Sequence, residues 1–181
     1  MVELIEARIQ ALLTGYLVCP GGELWLISLI LLYIYGLIAR WAGLRAGLIK
    51  AQKTKLSTWQ QVLLGARLFV HPALVEESIF RGLLMPPPTG SSLTPSMLVW
   101  IVLSWFLFIL AHPINSLILR PRTRPVFTSP VFLSLAGFLA ICTSALYWIS
   151  ASLWPAVLFH WIVVFLWMTN FGGFSIHSSK T

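Results

Sequence analysis

The chain contains no aspartate, and only five of its 181 residues are acidic. Charged residues of either sign make up 9% of it, against about 25% in a soluble domain. That scarcity excludes an ordinary soluble enzyme. Cysteine is nearly missing too: Cys19 and Cys142 form no C-x-x-C, and Cys142 sits inside an apolar run, so neither a zinc ribbon nor a disulfide framework is available. Internal repeats and low-complexity stretches are absent. What fills the chain is apolar: 58% hydrophobic residues and a mean hydropathy of +0.87. This composition is that of an integral membrane protein in a lipid bilayer. Its length suits one unit of about five or six crossings at ~20 residues each. A net charge of +7 would suggest nucleic acid in a soluble protein. Here the basic residues gather at the ends of apolar runs, as the positive-inside rule predicts, and no nucleic-acid partner is expected.

Residues 1–18 carry Glu3, Glu6 and Arg8 and lack an A-x-A site, which argues against a cleavable signal peptide. Val2, Ile5, Ile9, Leu12, Leu13 and Tyr16 fall at helical spacing, so an interfacial helix is expected, docked on the bundle or a partner. Cys19-Pro20-Gly21-Gly22 breaks it. Leu24 to Ala39 runs without charge, flanked by Trp25 and Trp41, and reads as a first crossing. Arg40, Arg45, Lys50, Lys53 and Lys55 follow. Ser57 suits an N-cap for the next segment, Trp59 to Leu84. Pro72 should kink that segment, and Pro86-Pro87-Pro88-Thr89-Gly90 should end it. Pro95 opens a third crossing to about Leu119, Pro130 to Ser150 is a fourth, and Ala156 to Thr169 a fifth. The expected fold is therefore all-α, a single membrane-embedded domain over residues 1–181 with about five spanning helices and the N-terminal helix. Alternating crossings place basic loops 40–55 and 120–124 on one side, the cytoplasmic one.

Two acids, Glu76 and Glu77, sit where the chain otherwise reads as membrane, with Arg81 a turn further on. A carboxylate at bilayer depth costs several kcal/mol, about 3 on insertion scales. On a helix Glu77 and Arg81 share a face, while Glu76 points about 100° away with no local cation. Arg81 is placed to neutralise Glu77, leaving Glu76 to act as a base or the group as a structural ion pair. Histidines add to the pattern. His112 and His160 lie in two other apolar segments, and a Glu/His/His set activates water for hydrolysis with or without zinc. His71 reads as a cap or support near the kink, and His177 as a solvated tail residue.

Glu76-Glu77-x-x-x-Arg81, with Phe80-Arg81-Gly82 inside it, resembles the first motif of the CPBP family, the CAAX proteases and bacteriocin-processing enzymes also called Abi. Phe108-x-x-x-His112 is similar to the second motif, F-x-x-x-H, and His160 falls where the third, H-x-x-x-N/D, begins. The likeness covers Trp59 to about Asn170, giving a CPBP-type core over residues 57–170. It implies an intramembrane endopeptidase acting on a peptide or membrane-protein substrate. Glu76 would be the base, with His112 sharing the water. His160 would stabilise the oxyanion, with Glu77 and Arg81 as a supporting pair. If a metal is used, a divalent ion such as zinc would take Glu76, His112 and His160; water activation without metal is equally allowed.

One position departs from that pattern. The N/D of the third motif falls on Val164, which neither donates nor accepts a hydrogen bond. Asn115, three residues beyond His112, is the amide expected to stand in, while Asn170 lies too far along. Val164 and nine Trp residues keep a second reading open: a non-catalytic relative serving as a membrane scaffold, immunity factor or assembly subunit beside other membrane subunits. A small transporter also explains buried Glu and His, but it would be expected to show internal repeats. Depth sets a condition on the hydrolytic reading. Straight helices put His160 and Glu77 roughly 8 and 10 Å from their helix ends, and His112 roughly 25 Å from Pro95. The Pro72 kink, helix tilt or a non-spanning stretch after Pro86 must close that gap.

Overall fold

A computed structural model describes residues 2–88, 93–118 and 123–173. Leu119, Arg120, Pro121 and Arg122, together with Thr89, Gly90 and His177, lie outside the described residues. The elements are α1 (Val2–Leu17), α2 (Gly22–Arg45), α3 (Thr58–Leu68), a π turn π1 (Phe69–Leu74), α4 (Val75–Glu77), a second π segment π2 (Ser78–Leu84), α5 (Pro95–Ile118), α6 (Arg124–Phe127), α7 (Pro130–Ser150) and α8 (Trp154–Asn170). The fold is an all-helical membrane bundle. Among the described residues the only β-type pairing is one parallel bridge, Gln52 with Phe171.

Three helices are long and apolar enough to cross a bilayer, α2, α5 and α7, and α8 is a shorter apolar helix of 17 residues. The sequence suggests five crossings. The second of these is divided rather than continuous, because the residue before a proline is driven out of the α region. His71, preceding Pro72, has φ −137° and ψ 116°, an extended residue between two helical stretches. The α3 start matches expectation: Ser57 Oγ accepts from the Gln60 backbone N–H while Gln60 Oε1 accepts from that of Ser57, a reciprocal cap.

Much of the outward surface is apolar, with Leu26, Leu29 and Leu37 on α2 and Val99, Val102 and Phe106 on α5 all exposed. In lipid such a surface carries no penalty, and helices associate through close packing and interhelical hydrogen bonds instead. Both are present. α7 is the central helix, burying Ala136, Leu139, Ala140 and Leu146. Trp105 Nε1 donates to Gly137 O at 2.9 Å. A Cβ on Gly137 would stand 3.0 Å from Ile109 Cδ1, so α5 and α7 touch closely there.

α1 docks, but not by the stripe its sequence suggests. Ala11 and Gly15 are buried, with Arg8, Leu12 and Tyr16 half-buried beside them, whereas Ile5, Ile9 and Leu13 are exposed. Polar groups decide the orientation. Arg8 Nη1 donates to Met85 O and the guanidinium lies 5.3 Å from the Trp100 ring. Trp154 Nε1 donates to Tyr16 O at 2.9 Å, and Leu153 N to Gly15 O at 2.8 Å. Each of these bonds needs the Arg8–Ala11–Gly15 face inward; the apolar residues opposite can face lipid at no cost.

Gly82 lets α1 come this close. A Cβ there would meet Leu12 Cδ1 at 2.3 Å and Leu153 Cδ1 at 3.4 Å. A Gly82→Leu substitution should therefore lever α1 off π2, costing about 1–3 kcal/mol through overpacking. Hydrogen exchange would rise in α1 while α7 stays protected; unchanged α1 protection would contradict this account. Gly82→Ala should do less, because the Leu12 side chain can turn aside.

Candidate active site

Glu77 is fully buried and Arg81 is 1% exposed. Arg81 Nη1 donates to Glu77 Oε1 at 3.2 Å, and Nη2 donates to Ala140 O at 3.0 Å. Arg81 Nε also lies 3.2 Å from Glu77 Oε2, but off the hydrogen-bond direction, so that contact is Coulombic only. His160, 2% exposed, donates Nδ1–H to Glu77 Oε1 at 2.8 Å. One carboxylate from α4 thus joins π2 to α8. The spacing of Glu77 and Arg81 was legible in sequence; the His160 bond was not, since it links residues 83 apart.

Phe108 is the packing hub of the site and is fully buried. Arg81 lies over its ring at 4.6 Å, and the rings of Phe80, His112 and His160 stand 5.2, 5.1 and 5.8 Å from it. Its carbonyl accepts from His112 Nδ1 at 2.9 Å. The four-residue spacing of Phe108 and His112 therefore has two functions. The ring backs Arg81, and the carbonyl fixes the imidazole so that Nε2 is left free. Phe127 and Phe132 close around His112 at 5.8 and 5.4 Å.

Ser104 Oγ donates to Phe80 O, which levels the middle of α5 with π2. This answers the depth condition. Past Leu84, Met85 turns extended (ψ 145°) and the chain continues to Pro88 outside any helix. His112, one turn beyond Phe108, borders the same cavity as Glu76 of α4. Sequence reading missed Ser104: a serine in an apolar helix is an interhelical hydrogen-bonding candidate, but its partner is a backbone carbonyl with no sequence signal.

Glu76, His112 and His160 line one cavity of about 990 Å³. Glu76 is half-buried, turned away from the Glu77–Arg81 pair as their adjacent positions require. Asn115 and Val164 line the same cavity, whereas Asn170 instead donates to Thr169 Oγ1 at 2.9 Å. His71 is exposed at the cavity wall and marks the break, rather than capping a helix. Among the described residues no group of three or more His, Cys, Asp or Glu is placed to hold a metal ion. The set Glu76, His112 and His160 thus does not fit a metal as it stands.

The chain is thus an all-helical membrane bundle in which a buried Glu77–Arg81–His160 cluster meets the cavity through His160. The family model described as type II CAAX prenyl endopeptidase, Rce1-like, matches residues 58–166, and the chain belongs to that family. No curated protein and no solved structure matches it.

Proposed function

We propose that the chain is an intramembrane endopeptidase that hydrolyses a peptide bond with water activated by Glu76 and His112. The observation that carries this reading is the shared cavity, where α4, α5 and α8 each deliver one titratable side chain. Glu76 is the base. Its carboxylate takes a proton from a water held also by His112 Nε2, the nitrogen left free by the bond to Phe108. The water oxygen bonds to the substrate carbonyl carbon and the carbonyl oxygen becomes an anion. His160, held by Glu77 at Nδ1, presents Nε2 to the cavity; the step requires the ring to carry a proton there as well, so that Nε2–H donates to that oxyanion. The C–N bond then breaks as the proton collected by Glu76 passes to the leaving amine. The basic loops 40–55 and 120–124 face the cytoplasm in this reading, and the substrate enters from the lipid or that surface.

Hydrolysis by the full chain in vesicles, run in water enriched in the heavy oxygen isotope, should place one heavy oxygen in each new carboxylate. Product without the label, or no product from an unbiased peptide pool, would sink the reading. Val164 adds a sharper expectation. It lines the cavity without a donor, so Val164→Asn should raise kcat by up to about 10²-fold, the lower end of what one oxyanion donor contributes. A folded Val164→Asn chain with unchanged kcat would mean that the oxyanion lies elsewhere. Val164 also favours the scaffold reading, for which cleavage would be absent in both chains.

A further inference from the structure

The cavity that holds Glu76, His112 and His160 also has Arg40 of α2 and Arg67 of α3 in its wall. Both are exposed side chains, which by itself would suggest two arginines reaching out to lipid phosphates. Their register says otherwise. On α2 the cavity-lining positions are Leu32, Tyr35, Gly36, Ala39 and Arg40; on α3 and π1 they are Leu64, Arg67, Leu68, His71 and Pro72. Each set follows helical spacing, so each arginine belongs to the stripe facing the cavity rather than the lipid. Neither has an acidic partner among the described residues, where the ion pairs are those of Glu77 with Arg81 and His160. Glu76 is the one acid in the cavity wall, against two guanidinium groups.

From this we infer that Arg40 and Arg67 form an anion subsite that takes a carboxylate of the peptide substrate. The inference rests on the hydrolytic reading for the word substrate, but not for the binding. Guanidinium is the side chain best matched to a carboxylate, through paired N–H donors. The cavity is near the upper end of the usual 300–1,000 Å³ range for ligand pockets. A peptide filling it has its carboxylate and its scissile bond in the same chamber. The two arginines then set how far from that carboxylate the bond is cut. They are specificity residues rather than catalytic ones.

The test uses the full chain in vesicles of zwitterionic phosphatidylcholine and three peptides of one sequence: free acid end, amidated end, and amidated end with a glutamate next to it. The carboxylate peptides should be favoured over the neutral one by about tenfold or more in kcat/KM, carried by KM, tenfold being 1.4 kcal/mol. Free acid and glutamate peptides distinguish a terminal from a side-chain carboxylate. In R40Q/R67Q the preference should fall to about one, and R40K/R67K should restore part of it. Equal cleavage of charged and neutral peptides, or a preference that survives in R40Q/R67Q, overturns the proposal. So does a preference that appears only with anionic lipid, which would assign the arginines to the membrane. If no peptide is cleaved, the hydrolytic reading fails separately, and binding of the same labelled peptides decides the subsite. Carboxylate-dependent affinity lost in R40Q/R67Q keeps it, and equal affinity removes it.

Discussion

A Glu76→Gln chain should keep its fold and lose peptide cleavage by about 10²–10⁴-fold, the range that a positioned general base contributes. The fold survives because Glu76 is half-buried and bonded to nothing the bundle needs; the buried pair beside it, Glu77 and Arg81, stays intact. The measurement is single-turnover cleavage in vesicles, with thermal unfolding of the same preparation as control. Loss of cleavage with an unchanged unfolding midpoint supports the base assignment. Equal rates in both chains would leave a membrane scaffold as the better account, since a scaffold has no use for the Glu76 charge.

The neighbouring acid behaves in the opposite way. Glu77→Ala should destabilise the bundle by about 3–5 kcal/mol, the cost of stranding a buried charge without its partner. Arg81 would be left 1% exposed, with Ala140 O as its remaining hydrogen-bond acceptor. Arg81→Met should cost a similar amount, and the double variant less than the sum, because the two share one interaction. Unfolding midpoints of the three chains give the comparison; strict additivity would show that the pair is not coupled. Activity falls in all three by a different route, since His160 loses the acceptor that holds Nδ1 or gains a loosened one. In the hydrolytic reading the two adjacent glutamates separate into a reactive group and a structural one, and the assay pair tells them apart.

How much of this was legible in sequence depends on how local the cause is. The Ser57 cap, the break at Pro72 and the different directions of Glu76 and Glu77 are effects within one turn of chain, and the sequence carries them. The docking face of α1 was not legible. An apolar stripe marks the inward face of a helix only when the other side is water; against lipid, Ile5, Ile9 and Leu13 face outward freely and Arg8 with Gly15 sets the contact. The family resemblance located His112 and His160, but the bond from His160 to Glu77 and the Ser104 contact with Phe80 needed three-dimensional positions. α2 was read as a bare crossing, yet Tyr35 and Arg40 line the cavity. A single helix, read alone, does not reveal what it faces.

The short pairing near the end of α8 has a wider effect than its size suggests. Lys50 N donates to Phe171 O at 3.2 Å and Thr54 N to Thr169 O at 2.7 Å, while Ile49 and Phe171 both border the cavity. Both strands of this clasp lie outside residues 58–166, the part matched by the family. One border of the cavity is therefore fastened by residues outside the stretch that carries Glu76, His112 and His160, so that border can vary in sequence while those three side chains stay as they are.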